Sequence, residues 1–175
     1  MTSCLNTRIL NWIFSKSYLP NKVRIRMLNG GVILGEDINI SHSVYFNGTK
    51  LNIGSHTWIG YGCYFSCRNE SVSIGENCGI AAGVRFITDT HTVGLNTKRC
   101  GSNIDKPIIV EDGCWIGAGV IILPGVTIQK GCVIAAGSVV TKSCEANSLY
   151  AGNPAQKKKT YDDEKHKSIG DSPGI

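Results

Sequence analysis

The sequence lacks the patterns that mark several large classes of protein. Its eight cysteines include no C-x-x-C pair, which removes the usual spacing of a zinc site or a redox motif. No basic stripe with interleaved aromatic residues occurs, so the net charge of +5 does not indicate nucleic acid as a partner. The apolar-rich run at residues 9–14 is too short to span a membrane, and no small-residue cleavage site follows it as in a signal peptide. The positive balance is compatible with an anionic small-molecule cofactor.

What the sequence contains instead is a six-residue repeat of large apolar side chains. The repeat forms five groups of three: Leu34, Ile40 and Phe46; Ile53, Ile59 and Phe65; Ile74, Ile80 and Phe86; Val110, Ile116 and Ile122; Ile128, Ile134 and Val140. An α-helix would return an apolar residue every three or four positions and a free strand every two. Fixed-period self-similarity predicts a solenoid, in which each repeat buries its apolar face against a stacked neighbour.

Each repeat has the pattern of a short strand followed by a tight turn. A second apolar residue stands two positions before many of the repeat positions: Val32, Ile38, Val44, Leu51, Val72, Val84, Ile108, Val120 and Val126. Positions i and i−2 of a strand share a face, so both point inward. Glycines that turn the chain at low steric cost follow several repeats: Gly35, Gly54, Gly60, Gly75 and Gly117. Three strand–turn units per circuit predict a triangular prism of about five coils, on the order of 24 Å long.

Three interruptions of the repeat predict where the chain leaves the prism. One, three and eighteen extra residues follow Phe46, Phe65 and Phe86, respectively. The longest interruption, residues 87–107, carries no inward aliphatic pattern, and we expect a protruding loop there. Long loops on a compact scaffold are more often functional than accidental.

The two ends of the chain differ from the repeat region. The first 28 residues are expected to form a helical cap on the first coil, because apolar residues recur at helical spacing until Pro20: Leu5, Ile9, Leu10, Ile13 and Phe14. The alternative is an anchor at a membrane surface, because basic residues surround the apolar stripe. Residues 29–155 then form the solenoid domain, and residues 156–175 form a polar, flexible tail.

Four cysteines occupy inward positions of the predicted prism, two residues before a repeat position: Cys63, Cys78, Cys114 and Cys132. The last three lie on one face of consecutive coils. We interpret the four as small buried hydrophobic residues, and unbridged thiols favour a reducing compartment such as the cytoplasm. The pattern gives no interpretation of the others: Cys4, Cys67, Cys100 and Cys144.

Among the four histidines, His91 is the candidate for general acid–base chemistry near neutral pH. It lies in the long loop, whereas His42 and His56 fall on exposed turns and His166 falls in the tail. Asp89, two residues before His91, either orients the imidazole or is a turn residue. The histidines share neither the spacing nor the face of a three-histidine metal site, so no metal is expected.

The C-terminal half carries a denser motif, with WIGAGVIILPGVTI at residues 115–128, VIAAGSVVTK at 133–142 and AGNPA at 151–155. These segments resemble the hexapeptide-repeat acyltransferases, most of all the galactoside, maltose, nodulation-factor and surface-polysaccharide O-acetyltransferases. The resemblance implies an all-β fold, a left-handed parallel β-helix. It also implies a homotrimer with acetyl-CoA in the groove between adjacent prisms.

By position in the motif, the resemblance implies roles for particular residues. His91 matches the catalytic histidine, and Trp115 matches the aromatic residue that lines the reacting centre. Four residues match positions along the pantetheine arm and the nucleotide end of the cofactor: Ala118, Ala136, Thr141 and Lys142. Lys159 stands where the family usually carries an arginine near the phosphates, and lysine keeps the charge without the bidentate geometry. Thr92 follows His91 where related enzymes often have proline.

The function that the resemblance implies is an acetyl-CoA-dependent O-acetyltransferase. Its acceptor would be a sugar hydroxyl of a surface polysaccharide, lipopolysaccharide or related saccharide. His91 would remove the hydroxyl proton and pass it to the leaving thiolate, while a backbone amide near Ala118 or Gly119 would donate to the oxyanion. One alternative is an N-acetyltransferase of an amino sugar or a nucleotide-linked amino sugar, and another is a β-helix protein without transferase activity.

Overall fold

A computed structural model describes residues 11–12 and 32–162, and residues 32–162 form a parallel β-solenoid with a protruding hairpin. The first three coils contain β1 (Val32–Leu34), β2 (Asn39–Ile40), β3 (Tyr45–Gly48), β4 (Leu51–Ile53), β5 (Trp58–Ile59), β6 (Tyr64–Cys67), β7 (Val72–Ile74), β8 (Gly79–Ile80) and β9 (Arg85–Ile87). The hairpin contains β10 (Asp89–Val93) and β11 (Cys100–Asp105). The remaining strands are β12 (Ile108–Val110), β13 (Trp115–Ile116), β14 (Ile121–Ile122), β15 (Thr127–Ile128), β16 (Val133–Ile134), β17 (Val139–Val140), β18 (Ser148–Ala151) and β19 (Gln156–Thr160).

Equivalent strands of successive coils pair in parallel and form three faces. Face A contains β1, β4, β7, β12 and β15; face B contains β2, β5, β8, β13, β16 and β18; face C contains β3, β6, β9, β14 and β17. We name the corners after the faces that they join, so the chain passes corner AB, corner BC and corner CA in each coil. The predicted prism of about five coils is confirmed, and β18 adds part of a sixth coil.

The inward residues of the three faces form one core along the prism. Every predicted repeat residue is buried except Leu34, which is partly exposed. Phe46, Phe65 and Phe86 stack along face C, with ring centroids 5.5 and 4.7 Å apart. Full burial of a large apolar side chain stabilises a fold by about 1.5–3 kcal/mol, and such side chains recur in every coil.

The glycines that follow the repeat positions have a different role from the predicted one. A Cβ atom on Gly54 would lie 2.5 Å from the carbonyl carbon of Gly75 in the next coil, so Gly54 permits close approach between coils. The left-handed turn residues come two positions later, as with Gly119 at φ 68°. The sequence pattern did not separate these two requirements, because both favour glycine.

The cysteines confirm the inward pattern. Cys63, Cys78, Cys114 and Cys132 are buried, as are Cys67 and Cys144, which had no interpretation from sequence. All seven cysteines in the described part of the chain are free thiols. Burial raises the pKa of Cys63 to about 11 and the pKa values of Cys67 and Cys144 to about 12. These buried thiols are therefore protonated near neutral pH and are poor nucleophiles.

The predicted protruding loop is an antiparallel β-hairpin. β10 and β11 pair from Asp89↔Asp105 to Val93↔Cys100. Strand β10 is exposed along its whole length, so it has no apolar face that a search for buried repeats could find. The protrusion is as predicted, but the segment has regular structure.

The structure describes parts of both ends. Asn11 and Trp12 are helical, and the Asn11 side chain donates to the Phe46 carbonyl at 2.9 Å and accepts from the Phe46 amide at 2.7 Å. The rest of the predicted 1–28 cap lies outside the described residues. Beyond Ala155, residues 156–160 form β19 along β18, so the paired part of the chain extends past the predicted domain boundary. Among the described residues, no helix is long and apolar enough to cross a membrane.

Candidate active site

A polar cavity of about 150 Å³ lies at corner CA, under the base of the hairpin. Its lining comes from the first three coils and the hairpin: Asn47, Ser66, Arg68, Asn69, Thr88, Asp89, Asn103 and Asp105. We call this cavity the hairpin pocket. All of its lining side chains carry hydrogen-bonding groups, and Arg68 is the one cation among them.

Short hydrogen bonds attach the hairpin to the second coil at this pocket. The Ser66 hydroxyl donates to Asp89 Oδ1 at 2.5 Å, and the Thr88 hydroxyl donates to the Ser66 carbonyl at 2.6 Å. Asp105 accepts from the Asn103 amide at 2.6 Å and from the Asn69 amide at 3.2 Å. Ser66 and Thr88 are buried, so these bonds fix the orientation of the hairpin base.

His91 lies on the pocket side of the hairpin. Residues i and i+2 of a strand share a face, and so do residues directly opposite in an antiparallel pair. Asp89 and His91 therefore share a face with their partners Asp105 and Asn103. Three of these four residues line the pocket, namely Asp89, Asn103 and Asp105. His91 itself is exposed and is not part of the pocket lining, so its imidazole is accessible on this face of the hairpin.

The structure places Asp89 in the pocket wall. Its carboxylate accepts from Ser66, and no hydrogen bond joins Asp89 to His91 in the described chain. Asp89 and Asp105 are direct cross-strand partners, an arrangement in which like charges repel. The neutral donors around them offset part of that repulsion.

An apolar groove of about 260 Å³ lies on face B and at corner BC. Its lining consists of Ala81, Trp115, Gly117, Ala118, Ile134, Ala135 and Ala136. Small residues are required here, because a Cβ atom on Gly117 would lie 2.5 Å from the Ala136 nitrogen. Trp115 is 49% exposed and forms the large wall of the groove. We call this feature the alanine groove.

One of the two candidate oxyanion donors is already used. The Gly119 amide donates to the Ala82 carbonyl at 2.9 Å in the neighbouring coil. The Ala118 amide makes no hydrogen bond within the described part of the chain. Ala118 is thus the one of the pair that can donate to a ligand in the groove.

The predicted site residues fall into separate groups in one chain. His91 and Asp89 lie at corner CA, whereas Trp115, Ala118 and Ala136 lie on face B or at corner BC. Thr141 and Lys142 follow β17 at corner CA of the fifth coil, and Lys159 lies in β19 at the C-terminal end of face B. The Lys159 ammonium stands 4.7 Å from the centre of the Tyr161 ring.

Sequence analysis missed most of the hairpin pocket, although a signal for it exists. The three interruptions of the repeat follow Phe46, Phe65 and Phe86, which are all on face C. All three therefore fall at corner CA, in consecutive coils. Stacked insertions at one corner indicate a shared polar surface there. Seven pocket residues were not predicted as site residues, and all of them lie in or beside these insertions: Asn47, Ser66, Arg68, Asn69, Thr88, Asn103 and Asp105. Among the described residues, no group of three or more His, Cys, Asp or Glu side chains could hold a metal ion.

Comparison with known proteins gives the family. The model "Bacterial transferase hexapeptide (six repeats)" matches residues 107–142, and "Hexapeptide repeat of succinyl-transferase" matches residues 50–86. Galactoside O-acetyltransferase of Lactococcus lactis is 31% identical over 137 residues, 77% of this chain and 66% of the relative. WcaF of Escherichia coli, an acetyltransferase that its name places in colanic acid biosynthesis, is 31% identical over 71% of this chain and 67% of the relative. The chain belongs to the hexapeptide-repeat acyltransferase superfamily.

Solved structures of this superfamily have the same fold. A maltose O-acetyltransferase of Clostridium difficile matches with a TM-score of 0.84 and 28% identity, over 92% of this chain and 87% of the other. A hexapeptide-repeat acetyltransferase of Vibrio cholerae, solved with acetyl-CoA, matches with a TM-score of 0.76 and 26% identity, over 89% and 85%. The chain covers only 52% to 59% of the length of three further relatives, among them nodulation protein L of Rhizobium meliloti.

Proposed function

We propose that the protein transfers the acetyl group of acetyl-CoA to a hydroxyl of a saccharide, with His91 as the general base. The observation that carries this proposal is the position of His91 on the same hairpin face as the polar groups of a cavity. A base at the edge of a polar pocket is placed to remove a proton from a bound hydroxyl.

The hairpin pocket is suited to an acceptor with many hydroxyl groups. Carboxylate, amide, hydroxyl and guanidinium groups line it, and they offer both donors and acceptors. A saccharide presents alternating hydroxyls that satisfy such groups at the edge of the ring. Relatives named as galactoside O-acetyltransferase and as a colanic acid acetyltransferase support this substrate class.

The alanine groove is suited to the acyl donor. Its small residues leave a narrow apolar channel for the pantetheine arm, with Trp115 at the thioester end. The lysines of the candidate set lie toward the C-terminal end of the prism, where Lys142 and Lys159 would bind phosphate groups of the donor. The Vibrio cholerae structure solved with acetyl-CoA supports this donor.

A homotrimer explains why the two halves of the site lie apart in one chain. The hairpin leaves corner CA between the third and fourth coils, and Gly79 and Trp115 on face B belong to the same two coils. In a ring of parallel prisms, the hairpin of one copy would meet the groove of the next copy at equal height. We propose that the complete site forms between copies, with His91 from one and Trp115 from another.

The reaction then needs no covalent enzyme intermediate. His91 removes the proton of the acceptor hydroxyl as its oxygen attacks the thioester carbonyl carbon. The Ala118 amide donates a hydrogen bond to the developing oxyanion. The carbon–sulfur bond breaks, and the thiolate takes the proton from the His91 imidazolium. The products are the O-acetyl sugar and free coenzyme A.

One observation favours N-acetylation of an amino sugar as the second candidate. Asp89 and Asp105 face each other across the hairpin base beside the pocket, and two carboxylates attract an ammonium group. The acceptor amine must then lose its proton before attack. The same pocket would serve both reactions, so the acceptor distinguishes them.

The buried free thiols match a reducing compartment, and we propose a cytoplasmic enzyme that modifies saccharides for polysaccharide biosynthesis.

The direct test is a screen of acceptors with acetyl-CoA, in which the release of free thiol measures turnover. Matched pairs of methyl glycosides and 2-amino-2-deoxy glycosides, together with nucleotide sugars and oligosaccharides, separate O-acetylation from N-acetylation. We expect turnover of a neutral or acidic sugar and mass-spectrometric detection of an ester. Transfer only to amino sugars would support the second candidate, and transfer to no sugar would contradict the proposal.

A further inference from the structure

Gly79 differs from the other glycines of residues 32–162 because neither conformation nor space requires it. Each of the others either has a positive φ or lies so close to another part of the chain that an added Cβ would fall within 3 Å of an atom there. Gly79 has neither property, and a Cβ there would only reach ordinary contact with Trp115 Cδ1 at 3.8 Å. A strand glycine without such a reason weakens the strand and often marks close approach of a ligand.

Two tryptophans flank Gly79 on the outer surface of face B. The register aligns Trp58, Gly79 and Trp115 in one column across β5, β8 and β13. Trp58 is 46% exposed and Trp115 is 49% exposed. Gly79 therefore leaves this column without a side chain between Trp58 and Trp115, and we call the gap the tryptophan slot.

The dimensions of the slot suit one ring. Two parallel strand spacings separate the backbones of Trp58 and Trp115 by roughly 9.6 Å. Two van der Waals contacts of about 3.5–4.0 Å each fill most of this distance. A single ring layer over Gly79 would contact both indoles.

The proposed orientation of acetyl-CoA along the prism indicates which ligand enters the slot. In the proposed function, the phosphates of acetyl-CoA lie near lysines at the C-terminal end, and its thioester lies at Trp115. The attacking group must then approach from the opposite direction, over Gly79 in the third coil and Trp58 in the second. The hairpin pocket of a neighbouring copy spans the same coils, from Asn47 to Asp105.

We propose that the tryptophan slot binds the pyranose ring of the acceptor, with Trp58 as a specificity-determining residue. A pyranose has a face of C–H groups and an edge of hydroxyls. The C–H face stacks on the indoles, and the hydroxyls reach the hairpin pocket and His91 of the neighbouring copy. This inference rests on the proposed function and adds to it an apolar subsite that selects ring-shaped saccharides.

The test compares Trp58→Ala, Trp58→Phe and Gly79→Leu, using the methyl glycoside that the wild-type enzyme acetylates fastest in the screen. Removing the stacked ring should raise the KM for the sugar about tenfold or more, and Trp58→Phe should restore most of the affinity. Gly79→Leu fills the slot with a side chain that the backbone tolerates, so it should raise the same KM without loss of fold. Tyr45→Ala, which removes an exposed aromatic residue from face C, is the matched control and should leave the KM unchanged.

Further measurements exclude other occupants. Light scattering reports whether Trp58→Ala alters the assembly, and the KM for acetyl-CoA reports whether the slot holds the donor. A change in either one, with the KM for the sugar within twofold of wild type, would overturn the inference while leaving the proposed function intact. If the wild-type enzyme acetylates no sugar at all, the proposed function fails, and this inference fails with it.

Discussion

Corner BC and corner CA of the same prism are built on different principles. At corner BC, the turns repeat with small residues, and backbone bonds such as Gly119 to Ala82 and Gly137 to Ala118 join each coil to the next. At corner CA, three consecutive coils carry insertions, and side-chain bonds such as Ser66 to Asp89 replace that regular pattern. The regular corner supplies a channel whose shape follows from the repeat, whereas the irregular corner supplies polar groups that the repeat cannot provide.

The difference between the two corners is tested most strongly by His91→Ala, at the irregular corner CA. Loss of a positioned general base should lower the turnover rate roughly 10² to 10⁴-fold. The melting temperature should stay close to that of the wild type, because His91 is exposed and lies outside the core. Steady-state kinetics with the identified acceptor and thermal melting check the two parts.

The controls for this variant are His42→Ala and His56→Asn. Both residues lie on exposed turns away from the hairpin, and asparagine tolerates the positive φ of 58° at position 56. Both variants should retain near wild-type turnover. Retention of more than about a tenth of the activity by His91→Ala would require a different base.

The next largest effect should come from the regular core, with Phe65→Ala. Phe65 is fully buried between Phe46 and Phe86, and phenylalanine-to-alanine changes in cores cost about 3–5 kcal/mol. We expect a large fall in the unfolding free energy, measured by denaturant titration. Tyr45→Ala, on the outer side of the same face, should cost far less; equal losses would mean that the axial stack contributes little.

Lys142→Ala should affect only the donor. A charged hydrogen bond to phosphate contributes about 1.5–3 kcal/mol, so acetyl-CoA affinity should fall at least about tenfold. Dephospho-CoA affinity should fall less if Lys142 contacts the 3′-phosphate. Isothermal titration measures both ligands, with Lys130→Ala as the control at corner AB. Equal losses for the two ligands would place Lys142 away from that phosphate.

The smallest expected effect is the pH dependence of an exposed ion pair. The Lys157 ammonium lies 2.6 Å from Glu145 Oε2 and lowers the pKa of that carboxyl. Its contribution to stability is present above the ordinary glutamate pKa and is lost as the pH falls through the lowered value. Lys157→Gln should therefore narrow, by a small amount, the difference in melting temperature between neutral and acid pH. A difference in melting temperature between the wild type and Lys157→Gln that is as large at pH 3 as at pH 7 would contradict this assignment.

The sequence predicted the prism well because its signal is local and repeated. The period of six identifies inward positions such as Ile59 and Ile116 without knowledge of any partner, since every coil obeys the same rule. The hairpin pocket could not be predicted in the same way. Asn69 and Asp105 are 36 residues apart, and their contact depends on hairpin register and on the stacking of coils.

The position of the site within the chain was also beyond sequence analysis. Resemblance assigned His91 and Trp115 to one reaction, but only the three-dimensional structure shows that they lie at different parts of the prism. Gly79 illustrates a further limit. In sequence it is one glycine among many, and its lack of a conformational role appears only when its φ and surroundings are known.

Strand β19 has a consequence for behaviour in concentrated solution. A solenoid of parallel strands ends in open backbone groups, and such an edge can template the addition of another chain into a growing fibre. Here β19 runs antiparallel along β18 and covers that edge of face B. Its sequence contributes Lys157, Lys158 and Lys159, and like charges on an outermost strand repel an incoming copy. Lys159, which would hold a phosphate of the donor, thus also helps to discourage end-to-end polymerisation.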